Sequence, residues 1–276
     1  MKRVLHHLIS AISLTFITLN LLFWIPFLVL FALLNLLPLP RLLSQAVLRM
    51  TEVVYRLAVI VDTFWLTRVL GIRLDIEGEL PARDAPPFVV VSNHRSWLDI
   101  LILQAVISRN GPMVKFLVKR ELMYVPVVGW ICLALRFPML TRGKSSGGRE
   151  KDLKAVQEAI RRNGEAPAAL MNFAEGTRFT QEKHDQQKSP HQHMLVPKTG
   201  GLRIMLDHLP GCRMLDATMY YPLPLNFWEC LSGRLKHINV RLVWHEPDPQ
   251  RVPRKWLEQL WYDKDAWYEA QTRKPG

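Results

Sequence analysis

An α/β fold with a mixed, largely parallel sheet flanked by helices is predicted by three features of the sequence. Short β-branched or apolar runs, such as Phe88–Val91 and Ala168–Phe173, alternate with helix-length segments beyond residue 70. Two of those runs stop abruptly at polar turns, Ser92-Asn93-His94 and Glu175-Gly176-Thr177-Arg178. Strands end that way where an open sheet presents its carboxyl edge. Both follow an N-terminal stretch so apolar that it reads as an element of its own. The 276 residues suffice for one substantial core plus an appendage. The expected division is 1–70 for membrane-anchoring helices and 71–276 for the α/β domain.

Leu8 to Pro40 holds 33 residues without Asp, Glu, Lys or Arg. As one helix it would run about 50 Å at ~1.5 Å per residue, longer than a straight crossing of a hydrocarbon core of ~30 Å. Pro26, near its middle, predicts a kink or break. A cleavable signal peptide has a shorter apolar core and a small-residue cleavage site, and a soluble core helix has a polar face. This stretch fits neither pattern and is expected to be a membrane element. Lys2 and Arg3 precede it, and Arg41, Arg49, Arg56 and Arg68 follow it, so charge does not choose an orientation. Two geometries stay open: a kinked segment entering and leaving one leaflet, or a tilted span ending near Pro38-Leu39-Pro40. Residues 42–70 read as a second helix of mixed, interfacial character.

Gly71 to Gly78 alternates apolar and polar residues, as a half-exposed strand does, and Pro81 to Pro87 is a turn-rich link into Phe88–Val91. Trp97 to Ile107 predicts a helix with Ser96 as N-cap. Met113–Val118 reads as a strand, Arg120–Leu135 as helix broken at Pro126 and Gly129, and Phe137–Gly143 as a short strand with its exit loop. Arg149 to Arg162 is an amphipathic helix, with Leu153, Val156 and Ile160 on one face and Asn163-Gly164 as its stop. Ala168–Phe173 is a buried strand. The polar Thr180–Met194 segment predicts a mobile loop. A helix over Gly201–His208, strands over Met214–Tyr221 and Ile238–Trp244, and a helix over Pro253–Tyr268 complete the chain. The Trp256, Leu260, Trp261 and Trp267 stripe on that last helix reads as packing or as an interfacial anchor.

The net charge of +12 favours an anionic partner, either a membrane surface or a phosphorylated substrate. No Lys/Arg block of five or more is present, so a dedicated nucleic-acid arm is not expected. The three cysteines, Cys132, Cys212 and Cys230, are far apart and predict buried free thiols in a reducing compartment. His184, His191 and His193 fall in one polar segment without matching carboxylates, so no metal site is expected there.

His94 stands in a strand-to-helix turn, and Asp99, five residues on, can reach back to its imidazole. A histidine paired with a carboxylate acts as a general base: the ring takes a proton, and the carboxylate fixes the tautomer and stabilises the imidazolium. Such a pair activates a substrate hydroxyl without a protein nucleophile. The alternatives are a structural turn histidine and a Ser96–Asp99 capping box. The second turn adds Gly176, which lets backbone approach a ligand, and Arg178, whose forked donors match phosphate. Arg142 ends a third apolar run. Each arginine alone can be a surface ion pair; together with His94 at strand ends they point to an anionic substrate that presents a hydroxyl.

Asn93-His94-Arg95-Ser96-Trp97-Leu98-Asp99 and Phe173-Ala174-Glu175-Gly176-Thr177-Arg178 resemble, in order and spacing, the NHxxxxD and FxEGTR motifs of the glycerolipid acyltransferases of the lysophosphatidic acid type (PlsC-like). Phe179-Thr180, Lys183-His184 and Pro197-Lys198-Thr199-Gly200 resemble the lysocardiolipin-acyltransferase-like branch. The resemblance covers roughly residues 75 to 222, with Asp216–Pro222 nearest to the fourth motif. It implies that His94 is the general base, oriented by Asp99. It also implies that Arg142, Glu175, Gly176, Thr177 and Arg178 hold or shape the site around a glycerol phosphate. The implied reaction moves an acyl group from a thioester of coenzyme A or acyl carrier protein to the free hydroxyl of 1-acyl-glycerol-3-phosphate, forming phosphatidic acid. Remodelling of other lysophospholipids is the near variant, and a non-catalytic, membrane-tethered binding protein is the distant one. No cofactor or metal is implied, because the thioester is already activated. The implied location is a membrane, the bacterial inner membrane with the site toward the cytoplasm.

Overall fold

The computed structural model describes residues 2–140, 154, 168–246, 248 and 253–273. Two long helices open the chain, α1 (Lys2–Leu34) and α2 (Arg41–Phe64), the latter running into a π-helical turn at Trp65–Val69. Then follow β1 (Arg73–Glu77), β2 (Phe88–Ser92), α3 (Leu98–Ile107), β3 (Met113–Phe116), β4 (Val118–Lys119), a 3₁₀ turn (Arg120–Tyr124), α4 (Val128–Ala134) and β5 (Met139–Leu140). The rest comprises β6 (Ala168–Phe173), α5 (Gln181–Gln187), α6 (Thr199–His208), β7 (Met214–Tyr220), α7 (Phe227–Cys230), β8 (His237–His245) and α8 (Pro253–Thr272). Arg142 and the helix expected over 149–162 lie outside the described residues, apart from Lys154, which is helical.

Six strands form one sheet in the order β1-β8-β7-β2-β6-β3, and β4 and β5 form a separate pair. Within the sheet, neighbours are parallel except β7 with β8. β2 sits at the centre, with Ser92 paired to Phe173 of β6 on one side and to Ala217 of β7 on the other. These three parallel strands therefore deliver their following turns to one edge. The β2 side chains alternate between two cores, as the pleat requires. Phe88 and Val90 join α3 and the N-terminal helices on one face. Val89 and Val91 join Leu202 and Met205 of α6 and Leu257, Leu260 and Trp261 of α8 on the other. The α8 tryptophan stripe is thus packing: Trp261 is fully buried, and Trp256 and Trp267 lie against that core.

The N-terminal helices share the first core through Ile17, Leu28, Val54 and Tyr55. Their contact is fixed by polar bonds inside it. Asn20 Nδ2 donates to Ala58 O at 3.0 Å and to Asp62 Oδ1 at 2.9 Å, and Trp24 Nε1 donates to Asn20 Oδ1 at 2.9 Å. The α1 helix runs unbroken through Pro26, against the expected break. Packing of α1 against α2 and α4 holds the helix through the proline, as neighbouring helices do for such breakers. Most of α1 remains uncovered by protein, including Leu19, Phe23, Leu30 and Leu33. With a mean hydropathy of 2.4, it has the length and composition of a membrane element.

Two further expectations are corrected. Thr180–Met194 is an ordered, pinned segment. Thr180 Oγ1 caps α5 by accepting the Lys183 N–H, Gln181–Asp185 and Gln186–Glu182 pairs brace it, and Lys188 ends it in the left-handed region at φ 48°. The helix has no apolar stripe, so hydrophobic periodicity could not reveal it. Cys132 and Cys230 are buried free thiols, whereas Cys212 is partly exposed. Of the two breaks expected in 120–135, the one at Pro126 is present, with Val127 at φ 67°, whereas Gly129 lies within α4 and breaks nothing.

Candidate active site

The site lies where β2, β6 and β7 end. Asn93, the first residue past β2, is fully buried and bonds like an extra peptide unit: Nδ2 donates to Met219 O and Oδ1 accepts from Met219 N, each at 2.9 Å. This extends the β2–β7 ladder one step and fixes the direction in which the chain leaves the sheet. His94 follows. Its ring stacks on Phe173, with centroids 3.9 Å apart, and its Nδ1 lies 2.8 Å from Asp99 Oδ2. That leaves Nε2 as the ring nitrogen open to a substrate, on a side chain that is 12% exposed.

Asp99 is fully buried in the first turn of α3. Oδ2 also accepts the backbone N–H of Arg95 at 2.6 Å and of Ser96 at 3.0 Å, while Ser96 Oγ accepts the Leu98 N–H at 3.3 Å. Asp99 therefore accepts from the backbone at the start of α3, as the carboxylate half of a capping box does, and partners the imidazole as well. The box is not closed, because Ser96 Oγ takes the Leu98 N–H and Trp97 stands at the N-cap expected for Ser96. The two readings of this residue are not exclusive. Its other oxygen, Oδ1, accepts the Tyr221 hydroxyl at 2.5 Å.

The second turn meets the first through Glu175, which is fully buried. Its two carboxylate oxygens accept the backbone N–H of His94 at 2.9 Å and of Leu195 at 3.1 Å. Burial raises its pKa from 4.5 to about 7, against the lowering effect of those two bonds and of Arg95. Glu175 is thus aimed inward and shapes the site from beneath. Gly176 takes φ 70°, a backbone state that disfavours side chains, and so lets the turn reverse toward α5. Thr177 Oγ1 and the Arg178 carbonyl both accept Lys183 Nζ, at 2.9 and 3.0 Å. The exposed Arg178 guanidinium lies over the Trp97 ring, 5.0 Å from its centroid. His94, Asp99, Glu175, Gly176, Thr177 and Arg178 are therefore gathered at one edge.

Sequence reasoning missed the contribution of α8 and of the segment before α6. Arg95 lies between the rings of Phe179 and Tyr268, at 4.2 and 4.7 Å, and donates to His193 O and Tyr268 Oη. His193 pairs with Glu269 at 2.7 Å, and its N–H donates to Asp265. His184 Nε2 lies 2.6 Å from His191 O. Among the described residues, no group of three or more His, Cys, Asp or Glu is arranged to hold a metal.

The fold and this edge define an α/β protein whose central strand carries a histidine–carboxylate pair to the edge shared by three parallel strand ends. The chain belongs to the Acyltransferase family, whose model matches residues 73–223. It is 29% identical over 209 residues to the 1-acyl-sn-glycerol-3-phosphate acyltransferase delta of Bos taurus, covering 67% of this chain and 53% of that protein. It is 28% identical over 210 residues to the 1-acyl-sn-glycerol-3-phosphate acyltransferase 3 of Arabidopsis thaliana, covering 67% and 54%. The match thus spans about half the length of these curated relatives. In fold it resembles the crystal structure of the 1-acyl-sn-glycerophosphate acyltransferase PlsC of Thermotoga maritima, with a TM-score of 0.65 over the whole of both chains at 19% identity.

Proposed function

We propose that the protein transfers a fatty acyl group from an acyl thioester to the free hydroxyl of 1-acyl-glycerol-3-phosphate, giving phosphatidic acid. The observation that carries this reading is the 2.8 Å contact of His94 Nδ1 with the buried Asp99, at a strand-end edge that also bears Arg178. His94 Nε2 removes the proton of the acceptor hydroxyl as its oxygen attacks the thioester carbonyl. Collapse of the tetrahedral intermediate breaks the C–S bond and leaves the ester, and the departing thiolate takes the proton from the His94 imidazolium, which restores the base. Asp99 holds the proton of Nδ1 and stabilises the transient imidazolium. Arg178 supplies forked donors for the phosphate, with Gly176 and Thr177 shaping the turn beneath it and Arg142 as a second cation. No metal or cofactor is required, since the thioester carries the activation. The lipid substrate fits a chain with an apolar anchor at residues 1–70, docked on the bilayer. The bacterial inner membrane, with the catalytic edge toward the cytoplasm, brings bilayer acceptor and soluble donor together; coenzyme A and acyl carrier protein are both suitable carriers.

His94→Ala tests the base. The transfer rate should fall by at least roughly 10²-fold with purified protein in lipid or detergent, while the protein stays folded. An unchanged rate would remove His94 as the base, whereas a wild-type protein without any transfer would favour a tethered binding protein. A panel of lysophospholipid headgroups against one labelled thioester then separates the phosphatidic acid reaction from remodelling of other acceptors.

A further inference from the structure

We infer that Tyr221 is a positioning residue for the His94–Asp99 pair, holding the carboxylate from the oxygen opposite the imidazole. The inference rests on the acyl-transfer reading above. A fully buried carboxylate draws its stabilisation from protein donors, because water does not reach it. The donors to Asp99 Oδ2, His94 Nδ1 and the N–H groups of Arg95 and Ser96, all come from the turn that carries Asp99 itself. They would move with that turn. The Tyr221 hydroxyl, 2.5 Å from Oδ1, comes instead from the end of β7 and ties the carboxylate to the sheet. Burial and the adjacent Asp99 charge hold this phenol well above its ordinary pKa, so it keeps its proton and donates.

The phenol is itself fixed from outside the turn. The Tyr221 carbonyl accepts the Tyr268 hydroxyl at 3.5 Å, and that hydroxyl accepts Arg95 Nη2 at 2.7 Å, which closes a ring of contacts back to the His94 turn. Just upstream on β7, the buried Lys264 of α8 donates to Ala217 O at 2.8 Å and Thr218 Oγ1 at 3.1 Å, and pairs with Asp216. Lys264 and Tyr268 lie beyond residues 73–223, so the final helix braces the strand end that presents Tyr221. A donor set this way aligns the carboxylate and, through it, the imidazole. Its loss should slow the chemical step and leave substrate affinity alone.

Tyr221→Phe removes one oxygen and keeps the ring. The expected result is a kcat lower by roughly tenfold, the order of one hydrogen bond to a charged group, with KM for both substrates within about twofold. In an Asp99→Ala background the same change should have no further effect on kcat, because its route of action is gone. Site-specific 4-aminophenylalanine at position 221 retains a weaker donor and should recover part of the lost kcat, to between the values of Tyr221→Phe and wild type. If Tyr221→Phe does not fold, that variant and wild type carry the test, with a several-fold fall in kcat at constant KM expected for the weaker aniline donor. Tyr220→Phe, the neighbouring ring, should leave kcat in place. An unchanged kcat, a rise in KM alone, or an equal fall with and without Asp99 would overturn the role of Tyr221. A wild-type chain without transfer would instead overturn the acyl-transfer reading itself, and a fully active His94→Ala would overturn the His94–Asp99 pair as its base.

Discussion

After β2 the chain spends its polar atoms inward; after β6 it turns its longest cation outward. In the first turn, Asn93 is consumed by Met219, Asp99 by His94, two backbone amides and Tyr221, and Arg95 by His193 and Tyr268. In the second, Glu175 points down into the same network, but Arg178 stays exposed over Trp97. The two turns stand side by side on paired strands, with Ser92 opposite Phe173. Their different accounting for polar groups teaches a division of labour. On the proposed reading, the group that acts as a base is over-determined, whereas the group that meets a mobile phosphate is left its donors.

Breaking the first turn should have the larger effect. An amide at position 99 can still turn its oxygen toward the three donors on the Oδ2 side and its NH₂ toward Tyr221 Oη. Asp99→Asn therefore preserves the cap and removes the charge. The transfer rate should fall by roughly 10²-fold or more, with a melting midpoint lower by no more than about 5 °C. Parallel losses of stability and rate would reduce Asp99 to a cap. Breaking the second turn should act on binding. Arg178→Ala is expected to raise KM for the lysophospholipid about tenfold, with kcat and the thioester KM nearly unchanged in steady-state assays. A change confined to the thioester KM would move Arg178 to the donor side of the site.

Much of this arrangement is legible in the sequence because it is local. Phe88-Val89-Val90-Val91 and Ala168–Phe173 announce buried strands, and the polar turns that end them mark the edge. The His94–Asp99 spacing then fits within one helix start. What escapes is whatever depends on strand order. Tyr221 meets Asp99 because β7 lies beside β2, a pairing across more than a hundred residues that no local pattern encodes. Lys264 interrupts an apolar stripe as an ordinary surface lysine would, and its burial against β7 follows only from where α8 lands. The one available signal for Tyr221 was position: a polar-tipped aromatic immediately past a strand that ends at the same edge as the candidate base. Helix α5 escaped for a different reason, since its stability lies in a cap and i,i+4 polar pairs and leaves no apolar period to read.

The smallest effect concerns the joint between the two turns and is read from stability rather than rate. Folding raises the pKa of Glu175 from 4.5 to about 7, chiefly by burial. The folded state therefore favours the protonated acid. The stability linked to that preference is fully present below pH 4.5 and is lost as pH climbs through 7. Gln at this position is permanently neutral, so Glu175→Gln removes the linkage. It also costs one acceptor, because the amide NH₂ must face either the His94 or the Leu195 N–H. Every other titrating group is common to both proteins and cancels in the difference. The denaturation midpoint of wild type minus that of Glu175→Gln should accordingly fall between about pH 4.5 and 7 and level off above it. Parallel pH curves would mean that Glu175 keeps an ordinary carboxylate in the fold. The joint would then be a charged bridge between the two turns across the whole range.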